Sequence, residues 1–178
     1  MAMTSKPATV TAADKPSHMR TPIDYRKPSE TVAYPDLQAA KNLWIKVSIK
    51  KCRAYIYDGN KLIYTMYCSA GVYEKDAKTG KMVSKTPTGT FHIQSQRGAK
   101  FFNSEVQVGA NDYVSWNGNG EYLFHSVPTD KNGNYMKKEA AKLGKTQASH
   151  GCIRLSIPDA KWFHDTVPTG TKVVVVDK

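Results

Sequence analysis

The sequence predicts a mostly β domain, a sandwich or barrel of short strands with one or two helices. Three observations support this prediction. Short runs of alternating apolar and polar residues recur after residue 42, Gly, Pro and Asn separate these runs, and only two segments have a helical pattern. The chain has 178 residues, enough for one domain with a sizeable core and too few for two ordinary ones.

The first strands are predicted on both sides of an Asp-Gly turn. The segment "LWIKVSIKKCRAYIY" leads to "DGN", and "KLIYTMYC" follows it. Such a pattern is typical of a β-hairpin. Further short strands are predicted at "TFHIQS", "EVQVGA", "DYVSW", "YLFHSV" and "TKVVVVD".

Two segments are predicted to be helical. The first is "NYMKKEAAKLGK" and the second is "IPDAKWFHDTV", whose first turn contains Pro158 and Asp159 and which ends before Pro168.

Residues 1–41 are predicted to form a disordered or extended linker or stalk, and residues 42–178 the folded domain. The N-terminal stretch mixes Pro, Thr, Ser, Ala and charged residues without a period of 2 or 3.6. Such a stretch fits a stalk behind a signal or membrane tether that is missing from this chain.

The charge of the chain suits an anionic partner. The formal net charge is +11, from 26 Lys and Arg against 15 Asp and Glu. Nucleic acid, anionic lipid and an anionic wall polymer would each suit this charge. The basic residues are scattered, with no recognition helix or basic arm, so we expect an ordinary solvated basic surface and no nucleic-acid partner. No apolar run approaches the ~20 residues of a membrane span, which predicts a soluble domain.

The segment "SHGCIRL" places Cys152 on a predicted loop that enters a short strand. A thiol becomes a nucleophile when a neighbouring imidazole assists its ionisation. His150 is two residues away, and His125 in "YLFHSV" could approach from another strand. Considered one at a time, such a cysteine is more often a small buried hydrophobic residue. Each histidine is more often an ordinary core or surface residue.

Three motifs together favour a catalytic role for these residues. "TPTGTFHI" at 86–93, "LFHS" at 123–126 and "SHGCIRL" at 149–155, in that order, resemble the L,D-transpeptidase (YkuD-like) family over residues 44–178. The resemblance implies a secreted or cell-wall enzyme, extracytoplasmic or periplasmic, that needs no cofactor or metal. It would cross-link peptidoglycan stem peptides, with a tetrapeptide as donor and an amine as acceptor, and would be a carbapenem target.

The resemblance also implies roles for individual residues. Cys152 would attack the donor carbonyl, His125 would be its base, and the backbone carbonyl of Ser126 would orient the imidazole. Three further residues would shape the pocket and oxyanion hole: Ser149, His150 and Gly151. Arg154 would lie near the substrate. The interval between His125 and Ser149 is longer than is usual in the family, and we interpret "DKNGNYMKKEAAKLGK" as an insertion beside the active site.

Cys52 and Cys68 form a candidate disulfide. They stand symmetrically about the "DGN" turn, and opposed strand positions can lie within bonding distance. The alternative is two free, half-buried thiols, because a one-residue shift in register would separate the side chains.

Other functions remain open at this point. Water could replace the amine, which would make the enzyme an L,D-carboxypeptidase. A sortase-like transpeptidase also uses Cys, His and Arg, although without His-Gly before the cysteine. A zinc site of His125, His150 and Cys152 would need a fourth ligand. A non-catalytic wall-binding module or a nucleic-acid binder are the remaining alternatives.

Overall fold

The computed structural model describes residues 17–178 and confirms the mostly β prediction, with 41% of residues in strands and 10% in helices. A single turn of 3-10 helix at Leu37–Ala39 precedes the first strand. The strands are β1 (Leu43–Ser48), β2 (Arg53–Asp58), β3 (Lys61–Ser69), β4 (Tyr73–Lys75), β5 (Met82–Ser84), β6 (Gly89–His92), β7 (Arg97–Asn103), β8 (Val108–Asn117), β9 (Tyr122–Ser126), β10 (Ile153–Leu155) and β11 (Lys172–Val176). The helices are α1 (Lys137–Ala140) and α2 (Ile157–Thr166).

Nine strands form one curled sheet in the order β6-β11-β1-β2-β3-β10-β9-β8-β7. β4 and β5 form a separate hairpin. Most neighbours are antiparallel, but β1 pairs with β11 and β9 pairs with β10 in parallel. β6 also contacts β8, so the two ends of the sheet approach each other. This curl encloses the main core.

The main core combines alternate residues of the central strands with one face of α2. Trp116, Tyr64, Phe124 and Phe163 are among its largest fully buried side chains. α2 packs against β8, β9 and β10. The helix begins where Ser156 caps it by accepting a hydrogen bond from Asp159 N–H, and it ends before Pro168. Its predicted bounds are therefore confirmed closely.

Several local differences separate the observed elements from the predicted ones, among them the β4–β5 hairpin, which the sequence did not predict. The arm before "DGN" is two strands, because the chain turns back between β1 and β2. β7 was not predicted, and residues 104–107 form a turn, so "EVQVGA" and "DYVSW" belong partly to one long strand, β8. The first predicted helix is a single turn at Lys137–Ala140.

Residues 17–41 differ from the expected disordered or extended linker, because they pack against the domain. Ser29 and Tyr34 donate hydrogen bonds to the buried Asp159 carboxylate of α2, at 2.5 and 2.6 Å. Glu30 is buried and accepts a hydrogen bond from Thr65 N–H at 2.6 Å. Polar side chains that are satisfied in this way fix the segment in place. Residues 1–16 of the predicted linker lie outside the described residues.

The candidate disulfide is not formed, and Cys52 and Cys68 are both free and buried. Their backbones are neighbours, since Cys68 N–H donates to Cys52 carbonyl at 3.0 Å. Cys52 occupies a left-handed turn conformation with φ of 55°, and its thiol faces the Ile49 carbonyl. The Cys68 side chain belongs to the main core. Burial raises the pKa of both thiols.

Within residues 17–178, no helix is long and apolar enough to cross a bilayer.

Candidate active site

The parallel pair β9–β10 brings the predicted catalytic residues together. Arg154 lies opposite His125, and Ile153 lies opposite Phe124. Because side chains alternate along a strand, His125 and Arg154 share one face with Cys152, which lies two residues before Arg154. Phe124 and Ile153 point the other way into the main core. The buried apolar face therefore fixes which face carries the polar residues.

The turn before β10 requires a glycine. Gly151 has φ of 141°, which residues with a side chain rarely adopt, and a Cβ there would lie 2.8 Å from a ring carbon of Tyr122. The Ser149 hydroxyl braces the same turn. It accepts from Gly151 N–H at 3.1 Å and donates to the Cys152 carbonyl at 2.5 Å.

His125 is oriented by a backbone carbonyl. Its Nδ1 lies 2.5 Å from the Ser126 carbonyl oxygen. A carbonyl can only accept, so Nδ1 carries the proton and Nε2 keeps its lone pair. His125 is only 4% exposed. Burial lowers its pKa to about 4, Arg154 adds to the decrease, and the Ser126 bond opposes it.

Cys152 is half-buried, and its thiol lies 3.8 Å from the Glu121 carbonyl. Burial raises the pKa of this thiol, while the Leu123 N–H and the charge of Arg154 oppose the increase. The shifts in the thiol and imidazole pKa values favour the neutral forms of both groups. Burial therefore favours a thiol beside a neutral imidazole over a thiolate–imidazolium pair.

A cavity of about 200 Å³ exposes this face to solvent. Its lining joins the turn before β10 with the β7–β8 hairpin. It includes Phe101, Asn103, Val106, Val108, Glu121, Tyr122, His125, Ser149, His150, Gly151, Cys152 and Arg154. Phe101 meets the His125 ring edge to face, with ring centroids 5.5 Å apart. The hairpin therefore covers one side of the imidazole.

The predicted insertion supplies an ion pair to the site. Arg154 is 5% exposed, and its Nη1 donates to the Glu139 carboxylate at 2.8 Å. Glu139 belongs to α1 and also accepts from Lys142 at 2.8 Å. The two cations hold the pKa of Glu139 below its usual value despite partial burial. The guanidinium therefore has a charged partner beside the cavity.

Comparison with known proteins decides the family. Residues 42–175 match the family model of the YkuD L,D-transpeptidase catalytic domain. The chain belongs to this family. It is 48% identical over 157 residues to a Bacillus subtilis (strain 168) protein named Putative L,D-transpeptidase YciB, covering 88% of this chain and 76% of that protein. The resemblance predicted from the motifs is confirmed.

Solved structures share the fold of the L,D-transpeptidase domain. An L,D-transpeptidase from Mycobacterium smegmatis has a TM-score of 0.56 and 20% identity, and it covers 76% of this chain. The L,D-transpeptidase LdtMt1 in complex with imipenem has a TM-score of 0.55 and 22% identity over 75% of this chain. The chain spans 58% of the length of each of these two proteins.

The site residues implied by the family resemblance lie around one cavity. Six of them line it: His125, Ser149, His150, Gly151, Cys152 and Arg154. Ser126 contacts the site through its backbone carbonyl, which lies against His125 Nδ1, and its own side chain is buried. His150 is exposed. Within residues 17–178, no three His, Cys, Asp or Glu side chains cluster as a metal site would require.

Three residues around the site were missed as functional candidates. Thr86 lies in the "TPTG" motif, which points to the family but not to a role for the Thr86 hydroxyl. Glu139 lies in the predicted insertion, and nothing in that Lys-rich sequence indicates that this residue contacts the site. Phe101 lies on β7, which was not predicted as a strand.

Proposed function

We propose that this chain is a peptidoglycan L,D-transpeptidase that works through an acyl-enzyme on Cys152. The observation that carries the proposal is the common face of β9 and β10. On that face a half-buried thiol and a carbonyl-oriented imidazole line the same cavity. Membership of the L,D-transpeptidase family supplies the substrate class, peptide stems of the cell wall.

In the first half-reaction, the Cys152 sulfur attacks the carbonyl of the third stem residue. A carbon–sulfur bond forms while the thiol proton moves to His125 Nε2. The carbon–nitrogen bond to the terminal D-residue then breaks, and the imidazolium returns the proton to the leaving amine. The product is a thioester on Cys152.

In the second half-reaction, an amine of a neighbouring stem attacks the thioester. His125 takes the amine proton and returns a proton to the departing sulfur, which regenerates the thiol. Because the Cys152 thiol and the His125 imidazole both start neutral, no thiolate–imidazolium pair has to be separated before the substrate binds. The Cys152 backbone N–H, at the end of the "SHGC" turn, stabilises the oxyanion in both halves.

Charge favours this substrate class. The net charge of +11 suits anionic wall polymers, and Arg154, although paired with Glu139, adds positive potential to the cavity wall. A peptidoglycan substrate places the enzyme outside the cytoplasm, in the periplasm or wall.

Intact-mass spectrometry of the protein with a disaccharide-tetrapeptide tests the proposal. We expect a covalent adduct that lacks the terminal D-residue, and the free D-amino acid in solution. Addition of an acceptor stem should discharge the adduct into a cross-linked product. Discharge only to the free acid would assign a carboxypeptidase, and unchanged binding of wall fragments without any adduct would favour a non-catalytic module.

A further inference from the structure

Thr86 of the "TPTG" motif makes two buried hydrogen bonds behind the nucleophile. Its hydroxyl oxygen accepts from Gly71 N–H at 2.7 Å, and the hydroxyl donates to the Gly151 carbonyl at 2.8 Å. Thr86 is 1% exposed. Its side chain therefore faces the Cys152 turn and not solvent.

The direction of this hydrogen-bond chain is fixed by chemistry. An N–H can only donate and a carbonyl can only accept, so the single hydroxyl hydrogen must point to Gly151. The chain runs from Gly71 N–H through the Thr86 hydroxyl to the Gly151 carbonyl. Each bond in such a series polarises the next one.

The Gly151 carbonyl belongs to the same peptide group as the Cys152 N–H. The peptide group is planar and trans, so its carbonyl and its N–H lie in one plane and point in opposite directions. A bond that holds the carbonyl therefore also sets the direction of the N–H beside the thiol. Within residues 17–178, this N–H has no hydrogen-bond acceptor, so it can face a ligand.

Ser149 does not restrain this particular peptide group. Its hydroxyl bonds the Gly151 N–H and the Cys152 carbonyl, which belong to the peptide groups before and after it. Gly151 has no side chain and a φ of 141°, so its own conformation restrains the chain weakly. Thr86 supplies the restraint on the middle peptide.

Gly71 makes room for this contact. A Cβ on Gly71 would lie 2.8 Å from Thr86 N and 3.0 Å from its hydroxyl oxygen. Gly71 also bridges to Ser149 in parallel pairing. The backbone at Gly71, between β3 and β4, thus packs directly against the Thr86 hydroxyl and the cysteine turn.

We propose that Thr86 is a positioning residue that aims and polarises the Cys152 N–H as an oxyanion donor. This role rests on the proposed cysteine acyl transfer, in which negative charge develops on the attacked carbonyl oxygen. Thr86 acts through the Gly151–Cys152 peptide and does not itself touch the substrate.

Two reactions of the same thiol separate this role from a structural one. Imipenem acylates a thiol through a carbonyl addition that needs an oxyanion donor, whereas iodoacetamide alkylates it by displacement at carbon, without an oxyanion. In Thr86→Val we expect imipenem acylation of Cys152 to slow at least about tenfold, because removal of an oxyanion donor costs ~10²–10³ in rate. Alkylation should stay within about twofold of the unsubstituted protein.

Rescue and control variants complete the test. Thr86→Ser keeps the hydroxyl and should restore acylation, while Thr88→Val changes an exposed threonine of the same motif and should alter neither reaction. If Thr86→Val does not fold, Thr86→Ala, which also lacks the hydroxyl, carries the same expectation.

Three outcomes would overturn the inference. Unchanged acylation in Thr86→Val would remove the positioning role alone. An equal loss of acylation and alkylation would assign Thr86 to structure. Failure of the unsubstituted protein to be acylated, while its thiol still alkylates, would overturn the proposed function and this role with it.

Discussion

Glu139 reaches across from α1 to Arg154, whose Nη1 lies 2.8 Å from the Glu139 carboxylate. Arg154 faces His125 across the parallel strand pair and lowers the pKa of both His125 and Cys152. The predicted insertion therefore supplies a negative charge that partly balances the Arg154 cation beside the candidate nucleophile and base. Among the described residues, the buried Arg154 Nε has no hydrogen-bond partner, so Glu139 is a principal anchor of the guanidinium.

Glu139→Gln should make the Cys152 thiol more acidic. Glutamine can still accept from Arg154, but it no longer offsets the positive charge, so the thiolate is favoured more strongly. We expect the pH midpoint of iodoacetamide alkylation to fall by a few tenths to about one pH unit, with the larger shift at low salt.

Asp165→Asn is the matched control for this change. It also converts an acid to its amide within an ion pair, but Asp165 lies on α2, pairs with Lys161 and does not line the cavity. Its alkylation midpoint should equal that of the unsubstituted protein. An upward shift in Glu139→Gln would contradict the electrostatic role.

Strands could be predicted from the sequence where the pattern of apolar residues matches the pattern of buried side chains. β1, β3 and β9 alternate or are strongly apolar, and the capped helix α2 has a distinct start and stop. β7 escaped prediction because only one of its central residues faces inward, and "KFFN" has no clear period of two. The first helix is short because tertiary contacts, rather than helix propensity, determine the path of the insertion.

The site was predictable in its nucleophile and base candidates and not in their surroundings. Short motifs predict Cys152 and His125 as the candidates, since the proposed chemistry needs those residue types. Glu139, the partner of Arg154, and Thr86, the partner of the Gly151 carbonyl, lie in other segments of the chain. No local sequence pattern predicts these contacts. The docking of residues 17–41 depends on Asp159, which lies 130 positions after Ser29 in the sequence.

Cys152→Ala should abolish transfer and leave the fold intact. The substitution removes the nucleophile and only one half-buried sulfur atom, so the thermal unfolding midpoint should change little. With a carbapenem, the unsubstituted protein should gain the mass of one drug molecule on Cys152, located by peptide mapping.

The two buried cysteines are the internal control for that labelling. Cys52 and Cys68 are enclosed and have raised thiol pKa values, so neither should react. Labelling of either one, or product formation by Cys152→Ala, would place the nucleophile elsewhere.

Ser29→Ala should destabilise the domain by ~1–3 kcal/mol. The substitution removes a buried hydrogen bond to the Asp159 carboxylate and leaves Tyr67 N–H without its Ser29 acceptor. Urea unfolding measures the change. Ser104→Ala, in the exposed turn between β7 and β8, should have no measurable effect. Equal stability of both variants would mean that residues 17–41 contribute little.

The pH profile of acylation should separate His125 from His150. A base must hold a free lone pair, and burial lowers the His125 pKa to about 4. Imipenem acylation should therefore persist through mildly acidic pH and fall about tenfold per pH unit only below that pKa, where the imidazolium cannot accept the thiol proton. In His125→Ala this acid limb should move upward, from near the His125 pKa to the pKa of the Cys152 thiol. Acylation would then depend on spontaneous thiolate formation, so it should be slow at neutral pH and rise about tenfold per pH unit until Cys152 ionises.

His150→Ala is the matched control, because His150 is exposed and lines the same cavity. It should keep the shape of the profile and mainly weaken acylation by stem peptide, through a changed pocket. Circular dichroism at each pH would separate loss of the base from acid unfolding, since a buried neutral histidine also costs stability as pH falls below its unfolded pKa of ~6.5. A profile whose acid limb moves upward in His150→Ala and stays in place in His125→Ala would transfer the base role to His150.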